Sequence, residues 1–391
     1  MGNRGALRGQ TNHNRRNWTD GGGKDMSLVK GIHHITVCVA GAQEDIDFQT
    51  QVFGQRLIKQ TVLFDGRYAH YHLYYANANA EPGSVYTTFP YNRVKGKPGS
   101  GQIQSTAYAV PKGSLKFWTE HLTRQNAKHF GIQERFGQKF VRFNHPSGIQ
   151  LEVLEDDSDK RKGWTTKDVT SDVTTRGFHG PVLSVREIPE TERFFVDALG
   201  FRKTGAEGPY HRFEIGEGGA AKTVTLLHEP DRPAGSWIFG AGTAHHLALE
   251  VESDEKLAEQ KGIYDELGYT DASEIKDRMY FHSVYCRCPG GILVECAANV
   301  PGGFSVDEPA DQLGTSLLLP PWFESRRAEV QAMLEPITVP EGNLPKGARK
   351  VPVNAPAPAN AAASTAEQPA GGSQASRRTS AVFIGGDKPK N

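Results

Sequence analysis

The sequence predicts an α+β protein: four βαβββ modules in two domains, flanked by disordered N- and C-terminal tails. Three observations predict it. A strand-like opening, a helix-like stretch closing at a glycine and a Pro/Gly turn into a last strand recur along the chain, and such self-similarity decides architecture before any single motif does. Residues 1–26 and 339–391 are too polar, or too rich in Pro, Ala and Ser, to bury a core. Between them, apolar residues alternate with frequent turn residues, in a chain of 391 residues with 37% apolar content.

The elements follow in order. Gly31-Ile32-His33-His34-Ile35-Thr36-Val37 opens a strand, and twenty residues after His34 the helix-like stretch ends at Phe53-Gly54-Gln55-Arg56-Leu57. A fainter second opening spans Gln102 to Val110, and its module closes with the turn Pro146-Ser147-Gly148 leading to Glu152. The third opening, Gly177-Phe178-His179-Gly180-Pro181-Val182-Leu183, has Leu199-Gly200-Phe201 at the matching distance. The fourth, Gly242-Thr243-Ala244-His245-His246-Leu247-Ala248, reaches Leu267-Gly268-Tyr269 and closes with Pro289-Gly290-Gly291 leading to Glu295. Module boundaries fall near 28–95, 100–158, 176–232 and 242–300. Grouped in pairs they make an N-terminal domain at 27–160 and a C-terminal domain at 161–300. A segment at 301–338 follows, in which Glu324 to Leu334 has the apolar spacing of a closing helix.

Composition excludes several function classes. With 45 basic and 45 acidic side chains the formal net charge is zero, which removes long-range steering toward nucleic acid or an anionic membrane. No run of about 18 apolar residues occurs and no secretory leader is recognisable, so a cytoplasmic location is expected. Four cysteines, Cys38, Cys286, Cys288 and Cys296, are too few and too unevenly spaced for a disulfide framework and read as reduced, structural thiols.

This module pattern resembles the vicinal-oxygen-chelate superfamily, in which paired βαβββ modules curve into open barrels that cup a metal. Each module then offers one inward position on its first strand and one on its last. First-strand positions carry His34, Ser105, Gly180 and His246; last-strand positions carry Glu152 in the second module and Glu295 in the fourth. The second and third modules together supply one carboxylate and no imidazole, so their cup is expected to be empty, with Glu152 lacking an obvious partner. The first and fourth supply His34, His246 and Glu295. Two imidazoles and one carboxylate with the remaining positions open form the facial triad of non-haem Fe(II) oxygenases. Strand alternation allows one histidine of each His-His pair to face inward, and the resemblance, with the register of Gly180, favours His34 and His246. His70, His72, His121 and His129 are read as non-ligands.

Within the superfamily the chain is similar to ring-cleaving dioxygenases that open hydroquinones, including chlorinated ones. The residues carrying this are 31–36, 242–248, Asp277-Arg278 with Tyr280-Phe281, Tyr285, Pro289 to Glu295, and Leu318-Leu319-Pro320-Pro321-Trp322. The resemblance implies Fe(II) as cofactor, an aromatic diol and O₂ as substrates, and catalytic roles for Arg278 and Tyr285; Thr36, on the face of His34, and His33 and His245, next to the ligands, join them as catalytic candidates by position. Oligomeric state is left open, a homo-oligomer included. Two other functions stay in view. One is a glyoxalase-type lyase or transferase, which needs a fourth protein ligand to its metal. The other is a binding protein that holds a small molecule between aromatic walls without metal.

Overall fold

The computed structural model describes residues 27–63, 69–91, 94–236 and 240–341. The tails predicted at 1–26 and beyond 341 lie outside these. Each module contains a strand, a helix and three further strands. In the first, β1 (Val29–Val39), rich in β-branched residues, leads to α1 (Ala42–Asp47), whose Glu44 and Asp45 favour its N-terminal turn. A π-helical turn at Phe48–Val52 continues α1, and the chain leaves it through Gly54 at φ 75°, where a Cβ would be strained. Strands β2 (Arg56–Val62), β3 (Tyr71–Ala76) and β4 (Val85–Pro90) complete the module.

The second module comprises β5 (Gln102–Val110), α2 (Leu115–Arg124), β6 (His129–Arg135), β7 (Gln138–Asn144) and β8 (Gln150–Glu155). Its helix ends without a glycine because Asn126, at φ 54°, fills the left-handed position held by glycine in the others. The third has β9 (Gly177–Val185), α3 (Pro189–Arg193) with a π-helical turn at Phe194–Ala198, β10 (Arg202–Glu207), β11 (Tyr210–Glu214) and β12 (Thr223–His228). The fourth has β13 (Thr243–Val251), α4 (Asp254–Glu266), β14 (Lys276–Asp277), β15 (Phe281–Arg287) and β16 (Leu293–Asn299). Ser253 caps α4 by accepting from the Lys256 N–H.

The sixteen strands form two sheets of eight. One runs β14-β15-β16-β13-β1-β4-β3-β2 and the other β10-β11-β12-β9-β5-β8-β7-β6. The outer modules therefore share a sheet, and the inner two share the other. The sequential division at residue 160 does not separate these sheets: β1 joins β13 and β5 joins β9, both antiparallel, so one eight-stranded half encloses the other in chain order. The four cysteines are buried and unbridged. No helix among the described residues is long and apolar enough to cross a membrane.

The segment after β16 straps the first sheet. The Lys59 ammonium, fully buried on β2, lies 2.6 Å from Asp307 Oδ1 and 3.2 Å from Glu308 Oε2, and Leu317 bridges Gln60 at the β2 edge. The single helix expected at Glu324–Leu334 is instead two, α5 (Pro321–Glu324) and α6 (Arg327–Met333). Proline at its first position starts α5 early. The break follows Arg326, whose φ of −113° and ψ of 19° are not helical, while the Arg327 guanidinium turns back to Glu324 and the Leu317 carbonyl. Beyond α6, the Glu335 carboxylate accepts from the N–H groups of Ala42 and Gln43 at the start of α1.

Candidate metal centre

In the concave face of the first sheet three buried side chains converge. His34 on β1, His246 on β13 and Glu295 on β16 each offer a ligand atom, all within 4.8 Å of one another. His34 Nε2 lies 2.9 Å from His246 Nε2; Glu295 Oε2 lies 2.9 Å from His246 Nε2 and 3.5 Å from His34 Nε2. Register explains the meeting: β1 and β13 are antiparallel neighbours, and Ala248 on β13 pairs with both His34 and Glu295.

Both members of each His-His pair face this cavity, contrary to simple alternation. Successive pairs along β1 and β13 are Ile32 with Leu249 and His34 with Ala248, which leaves His33 as an extra residue; Thr36 with His246 and Val37 with Ala244 leave His245 extra. Each is a bulge that turns an otherwise outward side chain. His33 Nδ1 reaches His34 Nδ1 at 2.8 Å, and His245 Nδ1 reaches His246 Nδ1 at 2.7 Å.

The first contact fixes a tautomer. Burial lowers the His33 pKa to about 3, with the neighbouring His34 acting in the same direction, so His33 is neutral and carries one ring proton. That proton sits on Nε2, 2.8 Å from the acceptor Asn299 Oδ1. His33 Nδ1 is then an acceptor and His34 Nδ1–H donates to it, which turns His34 Nε2 toward His246 and Glu295. A hydrogen bond on the remote nitrogen is the usual way a metal-ligating histidine is oriented.

The carboxylate shows the same unfinished valence. Burial pushes the Glu295 carboxyl up, but the charges and hydrogen bonding of His246 and His34 outweigh it and hold the group well below its ordinary range. Yet neither oxygen, buried as both are, has a hydrogen bond of good geometry. An ionised buried carboxylate with no well-aligned donor is costly unless a cation completes it.

Tyr285 is the register partner of Glu295 on β15. Its hydroxyl is pushed well up by burial and next by the Glu295 charge, so it stays protonated; Arg278 Nε donates to it at 3.2 Å. The Tyr285 ring lies 5.8 Å from that of His246. Thr36 Oγ1 is 2.8 Å from His246 Nε2 and 2.7 Å from Thr87 Oγ1. His245 packs edge-on to Phe89. All eight sequence-predicted residues thus belong to one contiguous cluster of contacts.

Sequence reasoning missed Thr87, Asn299, Phe281 and His72. Phe281 packs on both His33 and His34, with ring centroids about 5 Å away. His72, read as a non-ligand, is outside the ligand cluster but buried beside it, hydrogen-bonded to Thr87.

The second sheet has the same positions with different chemistry. By register Gly180 stands in place of His34, Ser105 in place of His246 and Glu152 in place of Glu295. A Cβ at Gly180 would lie 2.0 Å from the Thr223 carbonyl oxygen, so no side chain fits there. Glu152, expected to lack a partner, has three: Arg135 at 2.8 Å, Arg142 at 2.7 Å and Ser105 at 2.8 Å. Arg142 occupies the register position of Tyr285. Guanidiniums fill the place a metal would take.

The sequence profile of the Glyoxalase/Bleomycin resistance protein/Dioxygenase superfamily matches residues 177–296. Chlorohydroquinone/hydroquinone 1,2-dioxygenase of Sphingobium indicum is 39% identical over 316 residues, covering 80% of this chain and 98% of that protein. A protein of Bacillus subtilis provisionally named ring-cleaving dioxygenase MhqO is 37% identical, with 80% and 97% covered. Among solved structures, a provisionally named dioxygenase from Bacillus subtilis superposes with a TM-score of 0.75 at 36% identity, covering 80% of this chain and 99% of that one. Glyoxalase I from Zea mays shares the fold at a TM-score of 0.50 and 16% identity, with 69% and 92% covered.

Proposed function

From the premise that the chain belongs to the Glyoxalase/Bleomycin resistance protein/Dioxygenase superfamily, among its ring-cleaving dioxygenases, we propose that it opens a hydroquinone-type aromatic diol with O₂, using Fe(II) held by His34, His246 and Glu295. The observation that carries this reading is the buried triad with its unsatisfied carboxylate. Two nitrogens and one oxygen suit Fe(II) and leave coordination positions for substrate. When bound, the iron supplies the site where a diol oxygen and O₂ meet and exchange electrons. The Sphingobium relative's name, chlorohydroquinone/hydroquinone 1,2-dioxygenase, supports hydroquinone-type diols as the substrate class.

The chain's own groups bind and orient the diol. Phe281 and Phe89 form apolar walls for the ring. Tyr285, kept protonated, donates a hydrogen bond to a substrate oxygen, and the Arg278 charge beside it stabilises negative charge developing there. Thr36 contacts the oxygen on the His246 side. His33 and His245, each within hydrogen-bond distance of a ligand's Nδ1, orient the ligand imidazoles and so serve through the ligands, not on the ring. A lyase of the glyoxalase type needs a fourth protein ligand, and among the described residues the cluster has three members.

The test is oxygen uptake by protein reconstituted anaerobically with Fe(II), against hydroquinone, chlorohydroquinone and catechol. Uptake with a 1,4-diol that disappears in His246→Ala supports the reading. Tightly held iron without uptake overturns the reaction; failure to hold metal overturns the site.

A further inference from the structure

Four hydrogen bonds run end to end away from the ligand cluster. Thr36 Oγ1 lies 2.8 Å from His246 Nε2 and 2.7 Å from Thr87 Oγ1; Thr87 Oγ1 lies 2.9 Å from His72 Nε2; His72 Nδ1 lies 3.0 Å from the Tyr74 hydroxyl. Three adjacent strands supply them, with Thr36 on β1 in register with Thr87 on β4, and His72 and Tyr74 on β3. Every member is buried.

A hydroxyl has one proton to donate, and a neutral imidazole has one N–H. Burial, reinforced by the neighbouring imidazoles, keeps His72 neutral. A chain of such groups has two self-consistent orientations. In one, Tyr74 donates to Nδ1, Nε2–H donates to Thr87, Thr87 donates to Thr36, and Thr36 presents its proton to the ligand cluster. In the other, every bond reverses and Thr36 presents a lone pair. The His72 ring is held between Tyr74 and Phe89, with centroids 4.2 and 4.3 Å away, so ring reorientation does not blur the distinction.

We propose that His72 is a positioning residue: its tautomer, transmitted through Thr87, sets whether Thr36 offers a donor or an acceptor to the diol oxygen bound beside His246. This rests on the ring-cleavage reading above. A cross-strand pair of threonines needs no such extension if its role is only to hold β1 to β4, and the two roles separate experimentally.

The experiment uses the full chain carrying Thr87→Val, Thr87→Ser or His72→Phe. Valine keeps the shape of threonine and removes the hydroxyl; serine keeps the hydroxyl and trims the shape. In the iron-loaded protein with hydroquinone, Thr87→Val and His72→Phe are expected to lower kcat by roughly 10–100-fold, the range for groups acting through another, with KM within about twofold and iron content unchanged. Thr87→Ser is expected to recover kcat to within about threefold of wild type. In the metal-free protein, ¹⁵N NMR of the His72 ring is expected to report one dominant tautomer that Thr87→Val shifts and Thr87→Ser does not. Wild-type kcat in Thr87→Val, a serine variant as slow as the valine one, or a His72 tautomer indifferent to Thr87, overturns the proposal. Wild-type protein that opens no 1,4-diol overturns the ring-cleavage reading and the proposal with it, whereas an active wild type with an unaffected Thr87→Val overturns the proposal alone.

Discussion

At the scale of single residues the site is a set of lone pairs whose directions are fixed by neighbours. His34 turns its Nε2 to the ligand cluster because its Nδ1–H is taken by His33, and His33 can take it because Asn299 claims the other proton. Asn299→Leu or His33→Phe is therefore expected to weaken metal binding by roughly 10–100-fold while leaving the fold intact, measured by competition with a chelator and by circular dichroism. Loss of Tyr285's hydroxyl acts on turnover instead: Tyr285→Phe and Arg278→Ala are each expected to lower kcat by about 10²-fold with full metal content, checked by oxygen uptake alongside metal analysis. The triad was legible in the sequence because equivalent positions in repeated modules can be compared. Asn299, Thr87 and His72 were not, since each matters through a partner far away in the chain. Asparagine at the end of a strand or histidine in the middle of one carries no spacing signal of its own.

At the scale of elements the decisive devices are the bulges and the buried ion pairs. Alternation predicted one inward histidine per pair, and the pairing of β1 with β13 gives two, because an extra residue on each strand resets the pleat. A bulge depends on the partner strand's register, which one strand's sequence does not contain. The same limit hid the partners of Glu152: Arg135 and Arg142 lie on β6 and β7, and only the sheet brings them to β8. Removing one guanidinium leaves a buried carboxylate undercompensated, so Arg135→Leu is expected to cost about 3 kcal/mol in urea unfolding. The pH dependence has a definite sign. Burial pushes the Glu152 carboxyl up, and the two arginines more than reverse it, so its folded-state pKa lies below the ordinary 4.5. The stabilisation is complete above that value and lost as pH falls through the lowered one; in Arg135→Leu this acid-side loss is expected to shrink.

At the scale of the whole molecule the four repeats were legible, and so were the module limits, because glycine caps and Pro/Gly turns are local signals. The sharing of one cup by the first and fourth modules and of another by the second and third, expected from where His34, His246, Glu295 and Glu152 fall, matches the strand pairing of the two sheets. A chain cut between residues 160 and 176 yields two fragments, each holding half of both sheets. Neither is expected to fold alone, and the two are expected to assemble when co-expressed, seen as a joint elution on gel filtration with metal binding restored. Domains of sequential design would instead give two independently folded pieces.

This nesting also gives the candidate centre a clock. The hydrogen bond that orients the first ligand joins residues 266 positions apart, His33 near the start of the fold and Asn299 at the end of its last strand. At a synthesis rate of ~5–20 residues per second, β1 waits on the order of tens of seconds for β16 to leave the ribosome. Late in that interval, once β12 has emerged, the inner sheet can close while His34 still has neither its carboxylate partner nor its tautomer lock. Nascent and prematurely ended chains therefore cannot present the complete candidate metal-binding set, and the proposed chemistry becomes possible only once the last strand has been made.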